Sequence, residues 1–305
     1  MKIISTLAVL LTFTFCQAQK SELILRLEKD VEYIQSTNSE STIIQEINGQ
    51  KMNIVMTING TMSYLVKAIN DDSFDMDVAY KSLSMSMQLP QGKMEFSSEK
   101  KDEGDIFSLI LSEMKNKEFQ VKMTKYGKIT EIRNIEKLFE SAFSILPEIP
   151  EAQLSQIKTQ LLKAYGKEAY KGNIEMITAI YPNKKVAKGD EWVINTKLES
   201  GMSANMTTTY KFLDSTKEHY LIVGESKIET ADKDAYIESN GMPMKFDLTG
   251  FMTSNIKIDK TSGWIVVAKI DQDIQGDTYI KENPQMPNGM KIPMIMKSKM
   301  VFTNN

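Results

Sequence analysis

What this chain lacks narrows its chemistry first. It has one cysteine, Cys16, and one histidine, His219, in 305 residues. Cys16 lies in an N-terminal apolar run, so thiol catalysis, iron–sulfur clusters and cysteine zinc sites are excluded from the rest of the chain. A Ser-His-Asp triad would have to pass through His219, which stands among Lys217, Glu218 and Tyr220 and reads as a solvated side chain. There is no G-x-S-x-G elbow, phosphate-binding loop, dinucleotide glycine pattern or H-E-x-x-H pair, and no motif asks for a cofactor or a metal. Neither sign of charge dominates: 37 Lys and Arg face 40 Asp and Glu. That balance gives no footprint for nucleic acid or for a polybasic membrane contact. Beyond the N-terminus no apolar run is long enough to be a transmembrane segment.

The N-terminus itself is informative. Lys2 precedes an apolar run at 3–15, and Cys16-Gln17-Ala18 places small residues three and one before a cut. Residues 1–18 therefore read as a secretory signal peptide, leaving a cysteine-free mature chain in the periplasm or outside the cell. Cys16 raises a second reading, an acylated outer-membrane lipoprotein. That processing wants a small residue just before the cysteine, and Phe15 stands there, so cleavage after Ala18 is favoured.

Alternating apolar residues and short turns predict antiparallel strands at 31–38, 41–47, 51–58, 61–69 and 74–87. Asn48-Gly49 and Asn59-Gly60 are hairpin signals, and a parity slip between Tyr80 and Leu83 predicts a bulge. Helical spacing follows at 105–115, then a hairpin over 118–133 turning at Tyr126-Gly127. Asn134 reads as a helix cap, 151–165 as an amphipathic helix, and 169–180 as a helix weakened by Gly172. Strands return at 192–197, 205–213, 218–229, 246–259, 264–274 and 291–302, with Asn240-Gly241 among the turns.

Three stretches echo one another in order. Lys29, Glu32 and Tyr33 answer Lys188, Glu191 and Trp192. TMSYLVKAINDDSFDMDV from Thr61 lines up with TTTYKFLDSTKEHYLIV from Thr207, and VKMTKYGKITEI from Val121 with IKIDKTSGWIVV from Ile256. The order favours duplication of a unit of roughly 100 residues. The expected organisation is a first β-rich unit at 19–133, a helical insert at 134–182 and a second β-rich unit at 183–305. The expected fold is α+β and mainly antiparallel. Two related β-meander units make a strongly curved sheet or incomplete barrel, with the helices on its concave side.

Methionine is abundant, with 21 in the chain. Met85 and Met87 alternate along one strand, and Met294 and Met296 along another, so each pair shares a sheet face. Without His or Cys nearby these are weak copper ligands and read as adaptable apolar filling or as the lining of a lipid-sized cavity. The candidate lining comprises Met85, Met87, Met294 and Met296 on strands, Ile106 and Leu109 on the first helix, and Leu154, Ile157 and Leu161 on the amphipathic one. Two acidic groups, Asp71-Asp72-Asp75-Asp77 and Asp271-Asp273-Asp277, lack the EF-hand order. They read as turns and wet strand faces, with a carboxylate-dependent hydrolase as a remote alternative. Asp214-Ser215-Thr216, in an exposed turn, fits an O-glycosylation acceptor or an ordinary Asx-turn.

The CQAQ signal end, L-x-L-x-K-x-x-E-Y from Leu25 and P-x-K-x-V-x-K-G-D-E-W from Pro182 together resemble an uncharacterised family of exported bacterial β-rich proteins, a domain of unknown function. Asp30 stands where the second copy has Gly189. The resemblance implies no activity and no catalytic residues. At fold level the pattern is also similar to periplasmic lipoprotein carriers, whose helices plug a curved sheet around an apolar cavity. The expectation is thus a non-enzymatic envelope protein that binds a hydrophobic ligand such as a lipid or acyl chain. The alternative is a module binding an envelope protein or glycan.

Overall fold

The computed structural model describes residues 20–47, 49–100, 104–146, 149–199, 202–239, 242–284 and 286–304. The expected signal peptide, Cys16, Asn48 and the Asn240-Gly241 turn lie outside the described residues. In chain order the elements are β1 (Glu32–Ile47), β2 (Gln50–Ile69), β3 (Ser73–Leu89), β4 (Gly92–Ser97), α1 (Ile106–Met114), β5 (Glu118–Thr124), β6 (Ile129–Arg133), α2 (Ile135–Ser144), α3 (Glu151–Tyr165) and α4 (Lys167–Thr178). They continue with β7 (Glu191–Glu199), β8 (Ser203–Ser215), β9 (His219–Thr230), β10 (Ile237–Ser239), β11 (Met242–Asp259), β12 (Ile265–Ile280) and β13 (Met290–Thr303).

All thirteen strands form one antiparallel curved sheet, ordered β6-β5-β3-β2-β1-β13-β12-β11-β9-β8-β7, with β4 on β3 and β10 on β11. The fold is α+β. The chain runs as a meander whose first and last strands pair, Ser36 opposite Thr303 through Gln45 opposite Met294. The sheet is not closed into a barrel. It stays open between β6 and β7, the two strands separated in sequence by the helices α2, α3 and α4.

Helix α4 lies along that opening and touches both edges. Glu175 Oε1 accepts the Ile129 N–H of β6 at 2.7 Å, and Thr178 Oγ1 donates to the Gly127 carbonyl at 2.7 Å. On the other side a Cβ at Gly172 would stand 2.9 Å from the Lys197 carbonyl oxygen of β7. The glycine that weakens this helix as a sequence is the one that lets it approach the strand.

The echoed stretches occupy matching places. Tyr33 faces Tyr64 across β1 and β2, as Trp192 faces Tyr210 across β7 and β8. Two residues beyond each tyrosine the register slips, at Val66/Ala68 and at Phe212/Asp214. Segments ahead of each unit close one end of the sheet. Leu23, Leu25 and Leu27 alternate inward and are buried, each contributing about 2 kcal/mol of transfer free energy. Ser21 pairs with Val186 of the segment that leads into β7. Leu25 donates its N–H to Lys125, and Arg26 to Ser262, at 2.8 and 2.7 Å. The L-x-L stretch is thus extended but lies ahead of β1.

Several local expectations are corrected. Residues 31–38 and 41–47 form one strand, β1. Asn59-Gly60 is no turn: it lies inside β2, opposite Asn38 and Thr37, and the Asn59 and Asn38 amides hydrogen-bond across the strands. Continuous pairing on both flanks outweighs the local turn preference of the dipeptide. Asn134 sits at the start of α2 with φ 64°, but its side chain bonds Gln120 instead of capping the helix. The helix expected at 169–180 is α4, beginning two residues earlier and ending at Thr178. Strand β4 was not among the expected strands, although Lys93, Met94, Glu95 and Phe96 alternate. The bulge expected between Tyr80 and Leu83 is present, since Thr61 faces Ser82 while Met62 faces Tyr80. No helix among the described residues is long and apolar enough to cross a membrane.

Candidate functional site

Registers across the sheet decide which side chains share its inner face. From β13 to β3 that face carries Met300 and Phe302, Thr37 and Ser39, Ile58 and Met62, then Tyr80 and Leu83. Ala164 and Tyr165 at the end of α3, and Tyr170, Asn173, Ile174 and Met176 on α4, face them. Together with Gly60 they enclose a half-open cleft of about 240 Å³. That is slightly below the ~300–1,000 Å³ of drug-sized sites.

The cleft wall is apolar with a few neutral polar groups. Tyr170 is 3% exposed and packs edge-on against Phe119, ring centres 5.0 Å apart. Its hydroxyl interacts with that of Tyr64. The neighbouring Tyr64 hydroxyl donates weakly to Met62 Sδ at 3.7 Å. Burial holds the Tyr170, Tyr80 and Tyr165 phenols above their ordinary pKa, so each is a neutral donor. Beside the cleft, Gln35 faces Met62 across β1 and β2 and is 3% exposed. Neither of its amide atoms has a hydrogen-bond partner among the described residues.

The nine residues singled out from sequence are placed around this cleft and not in its wall. Met85 faces Ile58, a wall residue, and Met87 faces Met56 one pair further on. Met296 faces Ile43, and Met294 faces Gln45, whose Nε2 reaches Met294 Sδ at 3.8 Å. All four methionines are half-buried on the same inner face, beyond the cleft. Ile106 and Ile157 share a second, shallower groove with Phe96, Phe107 and Gln160. Leu161 is buried in the core, while Leu109 and Leu154 are half-buried. Of the fifteen wall residues that sequence reasoning missed, six are Thr, Ser, Gly or Tyr. Their signal was the parity shared with Met62 and Met300, readable only once strand pairing was known.

The acidic groups lie elsewhere. Asp72 pairs with Lys125, Asp75 with Lys122 at 3.4 Å and Asp77 with Lys67 at 3.9 Å. Asp273 meets Lys297 at 3.4 Å and Asp277 meets Lys291 at 3.0 Å. Strand alternation puts Asp75, Asp77, Asp273 and Asp277 on the outer face. His219 opens β9 opposite Asp259 at a hairpin tip. Among the described residues no three His, Cys, Asp or Glu side chains gather closely enough to hold a metal ion.

The model of a family of unknown function, DUF6263, matches residues 71–265, from the turn before β3 to the start of β12. No curated protein sequence matches the chain. Among solved structures, an outer membrane channel from Pseudomonas putida F1 is similar over 91% of this chain and 97% of its own, at 8% identity and a TM-score of 0.22. OmpT, an outer membrane protein of Vibrio cholerae, is similar over 91% and 98% at 9% identity and a TM-score of 0.13.

Proposed function

For this chain, which belongs to the DUF6263 family of unknown function, we propose a non-enzymatic role in the cell envelope: binding a hydrophobic ligand, a lipid or acyl chain, in the cleft between the inner sheet face and helices α3 and α4. The observation that carries the reading is the composition of the wall. Ile58, Met62, Leu83, Ile174, Met176, Met300 and Phe302 converge from four elements on unfilled space. Such a site takes up apolar surface at roughly 25 cal/mol per Å² buried. Met85, Met87, Met294 and Met296 extend the same face as an adaptable approach, because thioethers accept varied apolar shapes. Export of the chain is part of the proposal and rests on residues 1–18.

The test is titration with an apolar fluorescent dye, N-phenyl-1-naphthylamine, using the mature protein and an Ala164→Trp variant. Ala164 is an exposed helix position that lines the cleft, so an indole there fills it without disturbing the core. Saturable binding weakened about tenfold or more by the tryptophan supports the reading. Absence of saturable binding, or binding indifferent to Ala164→Trp, sinks it.

A second reading, docking of another envelope protein, draws on Phe251. It is 67% exposed on the outer face, in a shallow depression with Asp271, Asp273 and Lys297. Loss of a co-purifying partner on Phe251→Ser, with dye binding absent, is the outcome that favours it.

A further inference from the structure

We propose that the inner sheet face, where β2, β3 and β4 run side by side beyond the cleft, binds a soft monovalent metal ion, Cu(I) or Ag(I), on a shell of thioethers. Strand pairing carries this. Met56 of β2 stands directly opposite Met87 of β3, and Met87 directly opposite Met94 of β4. Directly paired residues point to the same side, so three methionines form one row across three adjacent strands. Their Cβ atoms stand about 4.5–5.5 Å from one strand to the next. Met85, two residues before Met87, shares the face and lies diagonal to both Met56 and Met94, within reach of long side chains. Methionine has three rotatable side-chain bonds, so the sulfurs of all four can gather around Met87. Sequence spacing showed only Met85 and Met87; pairing supplies Met56 and Met94. The row is also open to an ion. Met56 and Met87 are half-buried, and Met94 is 46% exposed on a strand that pairs with β3 alone. Core filling does not account for an exposed thioether on a strand, where branched and aromatic side chains are preferred. Ile54, Ile58, Leu89, Phe96 and Ser41 surround the row on the same face and bring no carboxylate or imidazole. Lys93 and Glu95 alternate to the other face and pair with each other. Thioethers are soft, neutral donors that select Cu(I), whereas Zn²⁺ and Mg²⁺ want imidazole, thiolate or oxygen. Among the described residues no three His, Cys, Asp or Glu side chains gather to offer those ions a competing site.

The experiment uses the mature chain, from which Cys16 is absent. Cu(I) is titrated without oxygen in competition with bicinchoninate, and Ag(I) serves as a redox-stable second probe. Stoichiometric binding, with a first shell of sulfur alone at the copper X-ray absorption edge, is the expected result. Met87→Leu removes the central ligand and is expected to weaken Cu(I) at least about tenfold, since even the supporting groups of a metal site are worth that much. Met94→Leu is a second variant with the same expected direction. Met290→Leu, at the start of β13 opposite Ile280, is the control and should bind Cu(I) as the parent does. Leucine conserves the volume of methionine, so all three variants keep the fold. An oxygen or nitrogen shell, or an adventitious ion only, overturns the site. So does an affinity unchanged by Met87→Leu, or one lowered equally by Met290→Leu. The dye titration of the cleft is a separate readout: its failure leaves the metal site standing, and loss of the metal site leaves the cleft reading as it was.

Discussion

Asp30 and Gly189 hold the same left-handed backbone conformation, with φ 61° and 93°. Each donates its N–H to the residue two beyond the strand tyrosine, Asp30 to the Val66 carbonyl and Gly189 to the Phe212 carbonyl, both at 2.8 Å. The return bonds match as well, from Val66 to the Val31 carbonyl at 3.1 Å and from Phe212 to the Asp190 carbonyl at 3.0 Å. The Asp-for-Gly difference between the echoed stretches is therefore a change of residue within a conserved conformation. Aspartate is among the residues that tolerate that region best.

The first prediction follows directly. Gly189→Ala should lower stability by about 1 kcal/mol, because an added Cβ meets no atom within 4 Å and only the backbone strain acts. Asp30→Gly should leave stability within about 0.5 kcal/mol of the parent, strain relief and lost chain stiffness opposing one another. Urea midpoints of the two variants measure this. A Gly189→Ala protein as stable as the parent removes the argument.

Three turn glycines separate strain from collision. Gly49, Gly127 and Gly263 share φ between 72° and 77°. A Cβ on Gly49 points into open space, but on Gly127 it would fall 1.8 Å from the Thr178 oxygen and on Gly263 2.1 Å from the Ile24 oxygen. Gly49→Ala should cost about 1 kcal/mol. The other two should each cost a further ~1–3 kcal/mol, since backbone has to move. Thermal midpoints of the three single variants decide; equal losses at all three positions would falsify the close packing of both segments against the turns.

Glu175 makes the seam between α4 and β6 sensitive to pH. Burial raises its carboxyl above the ordinary value, partly offset by the N–H of Ile129. The folded state keeps this proton to higher pH than the unfolded chain does. Stability from this group therefore falls as pH rises from the ordinary carboxylate pKa through the raised one. Glu175→Gln keeps an acceptor for Ile129 and removes the charge. The variant should match the parent at low pH and exceed it above that window, by under ~1 kcal/mol given the partial exposure of the site. Thermal midpoints of both proteins across the acid range test it; a difference that does not change with pH is the contrary result.

Tyr170→Phe should cost about 0.5–1.5 kcal/mol, since it removes a buried hydroxyl that interacts with the Tyr64 hydroxyl. Tyr64→Phe removes the other side of that contact and a weak donor to Met62 Sδ, and should cost a similar amount. Chemical denaturation without ligand is the measurement. A Tyr170→Phe protein as stable as the parent means that the two hydroxyls do not hold one another.

Much of the fold was legible locally. Alternation along 74–87 and 246–259 marked strands, because a pleated strand repeats every second residue. The parity slip at Tyr80 to Leu83 marked a real bulge. What misled was turn chemistry without context: Asn59-Gly60 resembles a hairpin but is held straight by β1 and β3 on either side. The wall of the cleft was hidden for a related reason. Thr37, Ser39 and Gly60 carry no mark of a binding surface until pairing places them beside Met62 and Phe302.

By itself, then, the sequence determined the class of the protein: mainly antiparallel strands interrupted by helices, and a chain with a single cysteine and a single imidazole. These depend on residue type and on short-range spacing. Only the tertiary structure decided that β1 and β13 pair to make one sheet, that α4 lies along the opening between β6 and β7, and that Tyr170 comes to stand in an uncharged cleft. Those outcomes depend on contacts between residues far apart in the chain, whose partners no local pattern specifies.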